Sequence, residues 1–253
     1  YCCVGARSCL DYRKRSIDSV MAEIHRGVNQ HDVGFIDFED ENLSLDRRWF
    51  LKLLDEMKRY FGKNGPELRA MNGLYPPSLD EEVIRCMQAA GFRTLNLSLG
   101  STSPEQLKRF NRPDVRASFD QALTLAEENG LNAVGYVISA APFQSAEDSI
   151  SDLLYLAQRR VLVGLSTFYP SPGSKDFDLC KTLGILPDHF SCMRSSALPL
   201  AHTTTRKEAV TLLRLARILN FMKSLTDASQ STISLIGWRR AGGFYQNFYM
   251  TVK

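Results

Sequence analysis

The chain has 253 residues, 44% of them apolar and 23% charged, with a formal net charge of +3. That balance fits a globular protein and excludes disordered, collagen-like and low-complexity classes. It is too weakly basic to signal a nucleic-acid partner, and no apolar run nears the ~20 residues that a membrane span needs. A chain of this length buries about 70% of its unfolded surface and holds a core without staples.

The sequence opens Tyr1-Cys2-Cys3, with no initiator Met and no signal peptide, and reads as the interior of a longer protein. Six cysteines stand at 2, 3, 9, 86, 180 and 192. They form no CxxC pair and no secreted-type framework, so the last three read as reduced thiols of a cytoplasmic protein. The first three are crowded, as in metal or cluster ligation, but they make an incomplete ligand set.

In chain order, Ser16 caps a helix whose apolar face is Ile17, Val20, Met21, Ile24 and Val28. Residues 33–38 predict a strand, and Asp46 caps a second helix carrying Trp49, Phe50, Leu53, Leu54, Met57 and Tyr60. Residues 68–71 form a short strand candidate. Ser78 with Glu81 predicts a capping box for a third helix, closed at Gly91. A strand at 94–99 follows, then a short helix opened by Ser103-Pro104 and a longer one from Ser118 to Asn129-Gly130. A strand at 134–139 leads to a helix capped by Ser145 with Asp148, and 161–166 predicts the fifth strand. After a Pro- and Ser-rich loop, Thr205 with Glu208 opens a last helix over about 205–225. Strands separated by single helices imply a parallel sheet with helical crossovers, as a barrel or an open doubly wound sheet.

Polar residues gather just after the strands, at the C-terminal rim where parallel α/β folds bind ligands. Glu39-Asp40-Glu41 could hold an ammonium group or a hard metal, or serve as a solvated loop. Ser98-Leu99-Gly100-Ser101-Thr102 offers small hydroxylated residues to a ribose or phosphate, or plain loop chemistry. Tyr169-Pro170-Ser171-Pro172-Gly173 could present backbone groups to a flat ring, or form a rigid turn. There is no GxGxxG, Walker A, HExxH or GxSxG motif, and the four histidines lack ligand spacing.

The order of these segments resembles the radical S-adenosylmethionine superfamily. Tyr1-Cys2 is similar to the end of its CxxxCxΦC cluster motif, and Arg13-Lys14-Arg15-Ser16 to its RxRS. Phe38-Glu39-Asp40-Glu41-Asn42 resembles an FxDDNF-like stretch. Residues 74–92, Leu97-Ser98-Leu99-Gly100-Ser101, Asn111-Arg112-Pro113 and Phe168-Tyr169-Pro170-Ser171-Pro172-Gly173-Ser174 match further family segments in order. The subgroup most similar is often fused to an N-terminal cobalamin-binding domain.

That resemblance implies an α/β fold, a partial TIM-like (β/α)6 barrel with parallel strands, whose first strand would precede Tyr1. It implies a core over 1–180 and a C-terminal helical extension and tail over 181–253. It further implies a [4Fe–4S] cluster that cleaves S-adenosylmethionine to a 5′-deoxyadenosyl radical for hydrogen abstraction. Cobalamin would come through an N-terminal domain, and electrons from a reductant such as flavodoxin or ferredoxin. By position, Cys2 would be a cluster ligand, with the other two cysteines upstream. Tyr1, Val137 and Tyr169 would line the adenine slot. Glu39 and Asp40 would receive the methionine ammonium, while Ser98, Ser101 and Arg112 would approach the ribose or carboxylate. The motif's first two cysteines are not in the chain, so it would not assemble the normal cluster by itself, and two departures within it stand out: Gly100 replaces the family's usual Glu, and Ala140-Ala141-Pro142-Phe143 replaces a Gly-containing turn. They motivate the alternative of a non-catalytic binding module of the same ancestry. The substrate is not legible in the chain.

Overall fold

The computed structural model describes residues 14–62, 64–193 and 198–231. Tyr1, Cys2, Cys3 and Cys9 lie outside the described residues. The elements run α1 (Ile17–Gln30), β1 (Phe35–Asp37), α2 (Arg47–Phe61), β2 (Glu67–Arg69), α3 (Glu81–Ala90), β3 (Thr94–Gly100) and α4 (Pro104–Arg109). They continue as α5 (Arg116–Glu128), β4 (Asn132–Ser139), α6 (Ala146–Ala157), β5 (Leu162–Thr167), α7 (Lys175–Thr182) and α8 (Arg206–Ser231). Short 3₁₀ turns span Pro76–Ser78 and Phe190–Cys192.

Every strand pairing is parallel and joins neighbours in chain order. β1 pairs with β2, and β3, β4 and β5 form a second ladder. Isolated parallel bridges, Leu68 to Phe92 and Leu74 to Leu97, link the two sheets. The result is a mixed α/β fold whose parallel strands make a partial, open TIM-like barrel; the described strands do not close on themselves.

Side-chain alternation sets the two faces of each strand. Leu95, Leu97 and Leu99 of β3, Val137 of β4 and Val163 of β5 join one core with the helices. Its helical side comes from Phe50, Leu53, Leu54 and Met57 of α2, Val83, Ile84 and Met87 of α3, and Phe119 and Ala122 of α5. Asn96, Ser98, Tyr136 and Ile138 take the opposite face. Capping follows the sequence at most helix starts. Ser16 accepts from Ser19 N, Asp46 from Trp49 N, and Ser145 with Asp148 forms a complete box. At α3 the cap is Asp80, which accepts from Val83 N at 2.9 Å, and not Ser78. Pro76 and Pro77 wind the chain into a 3₁₀ turn, and Ser78 donates its hydroxyl to Tyr75 O within it. α5 starts at Arg116 with no side-chain cap, two residues before the expected Ser118.

The outer edge of β5 is closed by a helix. Asn220 of α8 accepts from Val163 N at 2.8 Å and donates to Val163 O at 3.0 Å. One residue thus satisfies both edge groups, as a neighbouring strand would. The Lys223 ammonium donates to Leu156 O, Arg159 O and Val161 O at 2.6–2.9 Å. Asn220→Ala leaves a buried N–H and C=O without their partners, which costs about 2–4 kcal/mol. Urea unfolding should show this drop in stability, with Ser224→Ala, at an exposed position of the same helix, changing it little.

Candidate functional site

All five strands end at the same rim, and a cleft of about 1010 Å³ opens there. Its walls come from the turns after β1 and β2 (Glu41, Met71, Asn72), from β3 with Arg112 (Ser98, Gly100), from β4 (Tyr136, Ile138) and from β5 through Pro172. Met193 and Leu213 complete it. The turns behind this wall are tied together: Met71 N donates to Asp37 at 3.0 Å and Asn72 donates to Glu39 O at 2.8 Å.

One polar group is built at the end of β3. Arg112 donates from Nη1 to Ser98 Oγ at 2.9 Å. Gly100 stands beside them at φ +83°, where the ladder register shifts between Ser98 and Gly100. A Cβ on Gly100 would lie 3.3 Å from Arg112 Nη1. The missing side chain leaves the guanidinium room at the strand end, where a Cβ would crowd it by a few tenths of an ångström, and the left-handed backbone also favours glycine there. A second close approach forms the cleft floor. Tyr136 faces Gly164 across the β4–β5 ladder, and a Cβ at 164 would meet its ring at 2.5–3.1 Å. The Tyr136 hydroxyl donates to Asn96 at 3.2 Å, and burial, with the Asp37 charge behind it, pushes its pKa up. Tyr169 donates to Leu198 O at 2.8 Å, and burial raises its pKa also.

Of the residues that the sequence nominated, Ser98, Arg112 and Tyr169 line this cleft. Glu39 and Asp40 are exposed beside it, while Glu41 is the acid in the wall. Val137 is 0% exposed and sits in the helix-facing core. The strand's period of two puts its neighbours Tyr136 and Ile138 at the cleft instead. Ser101 is also not in the wall: its hydroxyl is buried against Asp152 of α6 at 3.0 and 3.2 Å. Tyr1 and Cys2 lie outside the described residues. Among the described residues no group of three His, Cys, Asp or Glu side chains could hold a metal ion, so Glu39, Asp40 and Glu41 do not converge as a metal site. Cys86 and Cys192 are partly exposed singletons, and burial pushes the Cys180 thiol up to about 11, away from the thiolate that ligates metals.

The turn after β4 was legible only as a departure. Ala140 takes φ +59° and Phe143 φ +64°. Gln144, fully buried, holds them: it accepts from Ala141 N at 3.1 Å and donates to Ile138 O at 2.8 Å. Thr204 then donates to Gln144 O at 2.7 Å, pinning the segment before α8 to this turn. Two left-handed non-glycine residues in four positions store strain of the kind found at ligand sites.

No family model matches the chain. Over 120 residues, 47% of the chain, it is 29% identical to the anaerobic magnesium-protoporphyrin IX monomethyl ester cyclase of Cereibacter sphaeroides. Over 141 residues, 54% of the chain, it is 30% identical to the enzyme of the same name from Rubrivivax gelatinosus. The matched stretch makes up 19% and 24% of those proteins, so the chain spans only about a quarter of its curated relatives. Among solved structures it resembles the radical S-adenosylmethionine methyltransferase TsrM from Kitasatospora setae, with cobalamin and a [4Fe–4S] cluster bound. That likeness has a TM-score of 0.58 at 18% identity and covers 70% of this chain and 36% of that one. The TsrM structure with tryptophan and a S-adenosylmethionine analogue gives a TM-score of 0.53 at 19% identity, over 61% and 30%.

Fold and sequence matches together bear out the resemblance that the ordered motifs carry. The chain has the parallel α/β fold of the solved radical S-adenosylmethionine methyltransferase and is similar in sequence to the two cyclases.

Two outcomes follow from this geometry. Ala140→Gly relieves the left-handed strain and should raise stability by about 0.5–1 kcal/mol in urea unfolding, the gain being trimmed by the freer unfolded chain. The second concerns pH. Burial pushes the Asp152 carboxyl above its ordinary 3.8, against hydrogen bonds from Thr102 and Ser101 that lower it. The folded state then binds this proton more tightly than the unfolded chain does. The stability it contributes is complete below the ordinary carboxyl range and is lost as pH rises through the folded-state value. Asp152→Asn, which cannot ionise, should gain stability relative to the native chain as pH climbs from about 4. A difference that stays flat across that range would contradict the raised carboxyl.

Proposed function

We propose that the whole protein is a radical S-adenosylmethionine enzyme and that this rim cleft is its S-adenosylmethionine site. The observation that carries the reading is the Ser98–Arg112 pair beside Gly100, set in a cleft of about 1010 Å³ at the C-terminal rim. A cleft of this size holds a nucleoside-sized ligand with room for a second molecule. Its residues fit a zwitterionic nucleoside. Arg112, with Ser98 orienting it, offers charge-assisted donors to the methionine carboxylate. Glu41 in the wall, with Glu39 and Asp40 next to it, forms an acidic edge for the ammonium. Tyr169 and the backbone of the Tyr169–Pro172 turn offer a flat surface and polar edges to the adenine, with Ile138 as an apolar backing. Tyr1 would pack on the same ring.

In this reading Cys2 supplies one thiolate to a [4Fe–4S] cluster and two further cysteines come from sequence before Tyr1. Cluster and S-adenosylmethionine together supply a 5′-deoxyadenosyl radical for hydrogen abstraction. The chain's own residues bind and orient the cofactor and shield it from water. Residues 1–180 act as the core and 181–253 as an extension, of which helix α8 braces β5. The TsrM neighbour supports a cobalamin link, and a flavodoxin or ferredoxin would deliver the electron. The protein works on a small molecule in the cytoplasm; among the described residues no helix is long and apolar enough to cross a membrane.

Anaerobic reconstitution of the whole protein with iron and sulfide, then reduction, should give cleavage of S-adenosylmethionine. A reconstituted, reduced protein that leaves it intact overturns the proposal. Arg112→Ala should weaken S-adenosylmethionine binding about 10- to 100-fold, in line with the loss of a charged hydrogen bond. Gly100→Val should weaken it comparably, because a β-branched side chain at φ +83° strains the strand end and its Cβ crowds Arg112 Nη1 at 3.3 Å. Isothermal titration calorimetry reads both.

A further inference from the structure

Beneath the rim lies a carboxylate buried without a cation. Asp152 of α6 is 0% exposed. Its oxygens accept from Thr102 N at 2.5 Å, Thr102 Oγ1 at 2.6 Å and Ser101 Oγ at 3.0 and 3.2 Å. None of its ion-pairing distances to Lys, Arg or His falls within reach among the described residues. A carboxylate so placed is expensive to bury, and a core methyl or leucine would fill the space under a helix at less cost. All its donors come from one place, the turn leaving β3.

That turn carries the cleft's basic wall. Ser101 Oγ, while donating to Asp152, accepts from Ser103 N at 3.1 Å. Ser103 in turn caps α4, accepting from Gln106 N. α4 ends in the tight turn at Asn111, φ +52°, that delivers Arg112 back to Ser98. Gly100, one residue before Ser101, has the left-handed backbone that makes room for the guanidinium. The path from Asp152 therefore reaches Arg112 through the cap of α4, and Ser98 along the chain through Gly100. It holds the turn from below, from a helix of the outer layer.

We infer that Asp152 is a positioning residue of the cleft: it sets the β3–α4 turn so that Ser98 and Arg112 meet a ligand carboxylate in fixed geometry. The inference rests on the cleft being the S-adenosylmethionine site. Small displacements of such a pair are costly, because a charge-assisted hydrogen bond weakens steeply with distance and angle. The burial that raises the Asp152 carboxyl is the stability cost of the arrangement, consistent with a residue kept for geometry.

The test uses the whole protein and S-adenosylhomocysteine, which carries the same nucleoside and amino-acid groups. Asp152→Ala should lower affinity for it at least tenfold and speed amide exchange over residues 101–112. Asp152→Asn, which keeps an acceptor for Thr102, should restore affinity to within about threefold of the native protein. Leu156→Ala, a buried site on the same helix, should lose at least as much stability and leave affinity within about twofold. Equal affinity loss in Leu156→Ala, or native affinity in Asp152→Ala, overturns the inference. If Asp152→Ala does not fold, Ser101→Ala combined with Thr102→Val removes the hydroxyl contacts from the other side and is read by the same criteria. If the native protein does not bind the probe, the cleft's assignment fails, and amide exchange decides the positioning role by itself. Acceleration confined to 101–112 supports that role, and acceleration spread over α6 rejects it.

Discussion

An open parallel sheet leaves a row of backbone donors and acceptors along its last strand, and those groups must be satisfied or exposed to water. Here the constraint falls on β5, and α8 meets it. The Asn220 amide spans the N–H and C=O of Val163, and Lys223 gathers three carbonyls around the α6–β5 connection. With its lower half covered, β5 can continue to Ser166 and Thr167 at the rim paired with β4 on one edge alone, and those residues become cleft wall. The same helix lends Leu213 to that wall. The cleft is thus bounded on one side because an edge was capped by side chains and not by another strand.

The division of labour between the two strand faces follows from this arrangement. The helix-facing side is packed with leucine, valine, isoleucine, methionine, alanine and phenylalanine. The cleft side carries Asn96, Ser98, Tyr136 and the Arg112 guanidinium. Two glycines make that polar face possible for different reasons. Gly164 has ordinary backbone and is needed for space, since the Tyr136 ring lies flat over it. Gly100 is needed for space and for its positive φ together. Gly100, which the sequence shows as a departure from the family pattern, is in the structure the position that admits Arg112.

Much of the fold was legible because local signals dominated it. The strand–helix alternation, the caps at Ser16, Asp46 and Ser145, and the Thr205–Glu208 box all depend on residues within one turn of each other. The failures are equally physical. Ser78 and Asp80 both satisfy a capping pattern, and only the 3₁₀ winding imposed by Pro76-Pro77 assigns Ser78 to a different bond. Val137 lies one residue from Tyr136 and Ile138 of the cleft wall, which in a strand means the opposite face. Ser101 stands in a rim motif yet spends its hydroxyl on a residue 51 positions away. Asn220 and Lys223 carry no local signal at all, since an asparagine and a lysine on an amphipathic helix read as solvated until the strand edge beneath them is known.

Several of the costs in this molecule meet at the rim. Ala140 and Phe143 in left-handed backbone belong to the turn after β4, and the buried Asp152 carboxylate, though carried by α6, meets the turn after β3. The opposite, helix-packed side shows ordinary caps and an apolar core of aliphatic and phenylalanine side chains. A sequence selected only for stability would not hold a carboxylate under one rim turn and two strained residues in the next, because each has a cheaper replacement within a single substitution: Gly for Ala140, Asn for Asp152. Their concentration around the Ser98–Arg112 pair argues that the rim is shaped by what it binds, and that the helical layer beneath it, through Asp152 and Gln144, is part of that shape.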